Sequence, residues 1–368
     1  DAAVERALKR NRIATETFAA NLLHEPGSIH TVGGRAYSVF AAFWRAALRT
    51  GAPRAPLPRP RKLPPPASAT GAGGLPLDSL GLLPAGHDWT GGMRATWSPG
   101  EKGATTALAD FAGSAAVYGD ERDQLEPGAT SRLSPHLRFG EISPFQVWHA
   151  VGNVRGTGGT KFLSEIGWRE FAWSQLAEHP DMARTSLRPQ YDRIRWSEAF
   201  ADDVWAWRRG RTGYPIVDAG MRQLWQTGWM HNRARMIAAS FLVKHMLVDW
   251  RIGEEWFWDT LVDADAASNP FNWQWIAGSG TDAQPFFRIF NPVLQGEKFD
   301  PDGAYVRRYV PELARLPARY IHKPWTAPGE VLTEAGVFLG QDYPRPLIDH
   351  AEARARALDA FAALKAAG

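Results

Sequence analysis

Two strings carry most of what this chain discloses: Asn269 to Trp275, reading NPFNWQW, and Trp229 to Met236, reading WMHNRARM. Both mix large aromatic rings with polar groups (amides, arginines, a thioether) at helical spacing. A plain core has little use for Asn232, Arg235 and Asn269 among so many tryptophans. A site that holds a flat aromatic ligand beside a flat aromatic substrate needs that mixture, with ring faces to stack on and a few polar groups to orient. The pattern implies a helical domain wrapped around a ligand site.

The flanking sequence extends the helical reading. From Thr105 onward, 3.6-residue periodicity predicts helices over Thr105 to Val117, Ser143 to Val151, Lys161 to Ala177, Ser197 to Arg209, Pro215 to Thr227, Met230 to Val248 and Glu254 to Leu261, punctuated by Pro, Gly and Asn. No alternating strand pattern and no internal repeat interrupts them. Upstream the character changes. Residues 53–66 hold seven prolines in fourteen positions, with Arg54, Arg59, Arg61 and Lys62 among them, and read as a semi-rigid linker. Gly71 to Gly103 is rich in Gly and Pro and reads as irregular. Residues 1–50 read as a helix over Ala2 to Arg10, a short strand over Ala14 to Phe18, and a helix near Tyr37 to Arg49, which suits the tail of an α/β unit.

Composition narrows the function. With 368 residues, 44% hydrophobic and 22% charged, the chain can bury a large core and form at least two domains. Its 17 Trp against 8 Tyr invert the usual order and point to ring stacking or electron transfer, a Trp-rich core being the plainer alternative. Net charge is only +3, but the stretch from Arg184 to Arg235 holds ten Arg, no Lys and five acids. Such a face attracts a phosphate backbone, or is simply solvated and salt-bridged. The absence of Cys excludes disulfides, thiolate zinc sites and Cys-ligated iron–sulfur clusters. No stretch reaches about 18 apolar residues and no signal peptide is visible, so a soluble, cytoplasmic protein without a membrane span is expected.

Three further groups of residues have chemical potential. Thr130-Ser131-Arg132-Leu133-Ser134 places three hydroxyls at the start of a predicted helix, after the turn Pro127-Gly128. Hydroxyls beside unpaired helix N–H groups suit a pyrophosphate, and equally suit ordinary capping. Glu165 and Trp168 are three apart in a helix and share a face, so a carboxylate and an indole could meet a base edge and a base face together. In isolation they also read as a surface acid and a half-buried ring. Asn232, Arg235 and Met236 share a face where a core helix would carry aliphatic side chains. No Gly-x-Gly-x-x-Gly follows a strand, and neither a Walker sequence nor His-Glu-x-x-His is present.

In their order along the chain, these strings resemble the DNA photolyase and cryptochrome family, most closely its class I FAD-dependent photolyases of cyclobutane pyrimidine dimers. The resemblance is dense from Tyr118 to Pro346 and thinner from Asp1 to Ala67. It implies that Thr130, Ser131, Arg132, Leu133 and Ser134 hold the FAD phosphates with Tyr118 beside them. It implies that Arg235 pairs with Asp263, that Asp265 meets the polar edge of the isoalloxazine, and that Asn269 lies beside flavin N5. On the substrate side it implies that Glu165 hydrogen-bonds the damaged pyrimidines, that Trp168 and Trp275 stack on them, and that Asn232 and Met236 face the same pocket. Arg122, one turn beyond Tyr118, joins Arg233 and Arg288 as expected DNA contacts. Trp196, Trp250 and Trp273 match the family's tryptophan chain to the flavin, whereas without the family they read as unrelated core residues.

Particular identities sharpen the expectation. Enzymes for the 6–4 photoproduct place His where this chain has Asn232 and Met236, because their chemistry needs a proton donor. Cryptochromes of the DASH type usually carry Tyr in place of Trp275, and plant and animal cryptochromes replace Asn269 by Asp and Cys. The resemblance therefore implies light-driven repair of cyclobutane dimers in UV-damaged DNA by reduced FAD. It also implies an antenna chromophore of folate or deazaflavin type in the full-length protein, no metal and a monomer. Relatives begin with a complete α/β domain, so the expected layout is a truncated α/β antenna domain over 1–52, a linker over 53–103 and a large helical FAD-binding domain over 104–368. The alternatives are a cryptochrome that senses blue light without repair, and a flavin-free helical DNA-binding protein.

Overall fold

Pro215 opens a helix and Gly228 closes it. Proline at the first position costs no hydrogen bond, and Gly228, at φ +66°, takes the left-handed turn that ends the Pro215–Thr227 helix where the sequence predicts. The next helix starts at Asn232, because the His231 side chain caps it by accepting the Arg233 N–H at 3.1 Å. The single predicted helix over Met230 to Val248 is in fact two pieces: Asn232–Ser240, then a π-helical turn over Phe241–His245. π-turns of this kind are common beside functional sites.

The computed structural model describes residues 2–18, 20–62, 74–82, 86–126, 129–154, 156–197 and 201–366. Among them the chain is helical, and the only β-pairing is an isolated bridge between Leu339 and Tyr343. The predicted helices appear with shifted ends, as Glu101–Ser114, Pro144–Val151, Thr157–Glu178, Ala201–Arg208 and Trp250–Thr260. Residues 198–200 of one prediction, the turn at Pro127-Gly128 and positions 63–66 of the proline-rich stretch lie outside the described residues. The helix Ser268–Ala277 carries the NPFNWQW string, and the C-terminal helix His350–Ala366 closes the chain.

The N-terminal expectation needs correction. Ala2–Arg10 and Phe40–Arg49 are helices, but the strand expected at Ala14 to Phe18 is coil. A strand needs a neighbour to satisfy its N–H and C=O groups. None is present among the described residues, and Phe18 is 73% exposed. An α/β unit is thus not formed by the described part of 1–52. The stretch from Gly71 to Gly103 is not wholly irregular either, since it holds a 3₁₀ turn at Leu77–Leu80 and a helix at Gly91–Thr96. The described part of the proline-rich segment lies against the helical body: Arg54 sits 3.9 Å from the Phe145 ring centroid, and His149 Nε2 meets the Pro53 and Arg54 carbonyls.

Three apolar clusters converge on one place. The largest packs the helices from Pro215 to Ala277 with Trp207, Trp250, Tyr305 and Tyr343 fully buried. A second joins Ala104, Phe111, Val147 and Phe162, and a third joins Phe43, Phe171 and Phe271. The Thr157–Glu178 helix, about 33 Å long at 1.5 Å per residue, borders both smaller clusters.

Candidate cofactor and substrate site

Where these clusters meet lies a cavity of about 530 Å³, within the range of small-molecule and cofactor sites. At one end are Tyr118 and the string Thr130 to Ser134. The Ser131 hydroxyl accepts the Leu133 N–H, Ser134 opens the Ser134–Arg138 helix, and Arg132 is held in the left-handed region at φ +52°. Non-glycine residues adopt that conformation at a cost that surrounding contacts must offset. Here the offsetting contacts are two indoles, with the Arg132 guanidinium 4.7 Å from the Trp97 ring and 5.2 Å from that of Trp229. Burial, followed by the charge of Glu165, raises the Tyr118 phenol well above its ordinary value, so it stays a neutral O–H donor.

The acidic end is built by the Asn232–Ser240 helix and the turn before Ser268. Arg235 donates to Asp263 Oδ2 at 2.8 Å and to the Met230 carbonyl at 2.7 Å. Asp263 Oδ1 is buried with no protein partner, and Asp263 lines the cavity. Asp265 Oδ1 accepts the N–H groups of Ala267 and Ser268, which fixes its carboxylate at the cavity edge. Asn269 donates its Nδ2 to the Glu254 carboxylate at 2.8 Å and to the Glu254 carbonyl at 3.0 Å, which leaves its amide oxygen as the group open to a ligand. Glu254 is itself buried. Desolvation raises its carboxyl above the ordinary range, and the Asn269 hydrogen bond opposes that rise.

The same cavity carries the residues expected to meet the substrate. Glu165, Trp168, Asn232, Met236 and Trp275 all line the cavity, together with Arg122, Arg233 and Trp273. Several of them are paired with one another. Arg122 donates to Glu165, Arg233 meets Asp123 at 2.6 Å, and Asn232 Nδ2 approaches the Met236 sulfur at 3.7 Å. Three expected residues lie elsewhere. Trp250 is buried in the main core under Arg251, Trp196 packs at its edge, and Arg288 is an exposed loop residue whose carbonyl accepts Lys244 Nζ. Trp273 has ring contacts with Phe257 at 4.9 Å and Trp207 at 6.3 Å.

Sequence reasoning missed other lining residues. Arg138 donates to the Ala264 carbonyl, and Arg169 donates to both the carbonyl and the side chain of Asn21 at 2.6 Å. Arg169 follows Trp168 directly, so its place in that string was the available signal. Glu254 had none, because only the fold brings it to Asn269. Among the described residues, no group of three His, Cys, Asp or Glu is placed to hold a metal ion, and no helix is long and apolar enough to cross a membrane.

A cavity lined by hydroxyls, arginines and an unpartnered buried carboxylate oxygen suits a ligand that carries both an anionic group and N–H donors. FAD carries both. Residues 162–363 match the family pattern described as the FAD binding domain of DNA photolyase, and residues 1–63 match that described as DNA photolyase. The chain is 50% identical over 370 residues to a deoxyribodipyrimidine photo-lyase of Agrobacterium fabrum, covering 99% of this chain and 77% of that protein. It is 40% identical to cryptochrome-1 of Arabidopsis thaliana over 95% of this chain and 53% of that protein. It superposes on the crystal structure of a bacterial class III photolyase from Agrobacterium tumefaciens with a TM-score of 0.93 at 49% identity, covering 99% of this chain and 76% of that one. The chain belongs to the DNA photolyase and cryptochrome family, and FAD is its cofactor.

Proposed function

We propose that this chain repairs cyclobutane pyrimidine dimers in DNA under blue light, and that it falls in the class III division rather than the class I division expected from its sequence. One observation carries the repair reading: a single cavity is lined by the phosphate string, the flavin-edge acids and Glu165, Trp168, Asn232, Met236 and Trp275 together. The likeness to the bacterial class III photolyase from Agrobacterium tumefaciens supports the subdivision.

The residues divide the work. Thr130, Ser131, Ser134 and Arg132 meet the phosphates. Asp263 and Asp265 accept N–H groups at the polar ring edge, and Arg235 holds the Asp263 carboxylate in orientation. Held by these residues in its reduced form, FAD would supply light-driven electron-transfer chemistry to the dimer. The dimer must leave the duplex to reach the cavity, which costs a few kcal/mol and least at a poorly stacked pair. Trp168 and Trp275 offset that cost at about 1–3 kcal/mol per stacked base. Glu165 accepts N–H groups of the bases once Arg122 turns from it to the DNA backbone. Asn232 and Met236 cannot act as proton donors at neutral pH, which favours the cyclobutane dimer over the 6–4 product.

The test is repair of a thymine-dimer oligonucleotide by the FAD-loaded, reduced protein, with and without blue light. Light-dependent recovery of thymine absorbance is expected. Bound FAD without repair would favour a light sensor instead, a reading supported by the 40% identity to a plant cryptochrome and opposed by the Asn at 269 and the Trp at 275.

A further inference from the structure

Trp168 is backed by a second ring. Its indole lies parallel to Phe40, with centroids 3.8 Å apart and planes 11° apart, the shortest ring pair among the described residues. Phe40 opens the Phe40–Arg49 helix from the N-terminal part of the chain. One turn on, Trp44 stacks on Phe40 at 6.3 Å and 12°, and lies flat over Gly167, where a Cβ would come within 2.6 Å of Trp44 Cε3. The helix start has no cap of its own. Its Phe40 N–H is instead held at 3.0 Å by Asp282 Oδ2, from a loop far along the chain. Phe171 and Phe271 pack around the same indole, T-shaped at 5.9 Å and tilted at 6.3 Å. Trp168 is therefore covered by Phe40 on one face and still lines the cavity.

We infer that Phe40 is a positioning residue for the damaged base and acts through Trp168. The inference rests on the dimer-repair reading above. A stacking platform gains affinity when its ring is already fixed, because ordering a free side chain on binding costs part of the contact. Phe40 fixes the plane of Trp168 and restricts it to a single base. The N-terminal helix is thereby part of the lesion wall, and the Asp282 cap and the bare backbone at Gly167 set its position.

The experiment measures binding of the FAD-loaded protein, in the dark, to a duplex carrying one thymine dimer and to the same duplex undamaged. Phe40→Leu should weaken dimer binding about fivefold, or about 1 kcal/mol at 1.4 kcal/mol per tenfold, and spare the undamaged duplex. Phe40→Tyr should restore binding, and in a Trp168→Ala background Phe40→Leu should add nothing. Equal losses on both duplexes, or the same loss with Trp168 absent, would overturn the inference. If Trp168→Ala costs dimer affinity but Phe40→Leu does not, the inference alone falls; if Trp168→Ala costs none, the stacking reading falls with it. FAD absorbance reports folding of each variant. Should Phe40→Leu fail to fold, Asp282→Ala, which loosens the helix from outside the ring stack, should give a smaller loss of the same selectivity, and its absence would overturn the inference.

Discussion

The two sides of the cavity differ in how their polar groups are engaged. On the flavin side they are held by partners a ligand need not displace: Asp265 by two backbone N–H groups, Asn269 by Glu254, Asp263 by Arg235. On the proposed substrate side the arginines that would meet DNA are held by carboxylates of the protein, Arg122 by Glu165 and Arg233 by Asp123. On the proposed reading one side is preorganised for its cofactor, and the other would exchange internal ion pairs for contacts with substrate. The difference teaches where mutation should strike folding and where it should strike binding alone.

The sharpest way to break this contrast is Arg235→Ala. It leaves Asp263, whose side chain is 3% exposed, without its cation. Stripping one partner from a buried pair costs about 3–5 kcal/mol, and the partial exposure of Arg235 puts this case at the low end. The urea midpoint should fall and FAD should be lost on gel filtration. An unchanged midpoint would show that the flavin side is not preorganised by this pair.

On the substrate side, Trp168→Ala should leave folding and FAD content nearly intact and weaken dimer DNA by about 10- to 100-fold, the equivalent of about 1–3 kcal/mol of stacking. Dark titrations of damaged and undamaged duplexes would check it, and equal losses would remove the stacking role. A smaller effect is expected from Arg122→Gln. It should weaken both duplexes alike and lower the slope of log K against log salt by about one, as loss of one phosphate contact does. If instead dimer binding alone improves, Arg122 serves to mask Glu165 and not to hold DNA.

The contrast also explains what could be read from the sequence. Thr130 to Ser134, Trp229 to Met236 and Asp263 to Trp275 were legible because each gathers its polar and aromatic groups into one short string, which the family resemblance could match. Phe40, Trp97, Glu254 and Asn21 were not, because tertiary packing brings them from distant segments and no local pattern marks them. The helical body was legible from periodicity. The strand at Ala14 to Phe18 was a misreading of a short threonine-rich run, whose fate depends on a neighbour that one sequence segment cannot reveal. Of the tryptophan chain, only Trp273 reaches the cavity wall, and Trp207, its ring neighbour, had no sequence signal beyond being one more Trp.

The least effect, and the subtlest test of the contrast, concerns how the substrate wall is tied to the N-terminal segment. Two residues after Trp168, Glu170 is buried and accepts the Leu23 and His24 N–H groups, each at 3.0 Å. Burial pushes its carboxyl up to about 7 from an ordinary 4.5, outweighing the two hydrogen bonds and the Arg169 charge, with Glu25 adding to the rise. A carboxyl whose folded value lies above its unfolded one contributes stability that is complete below the unfolded value and lost as pH rises through the folded one. This group should therefore lower stability progressively between about pH 4.5 and 7. Glu170→Gln stays neutral and keeps an acceptor, so its urea midpoint should be flatter than that of the parent protein across the same window. Parallel midpoint-versus-pH curves for the two proteins would mean that Glu170 is ionised throughout.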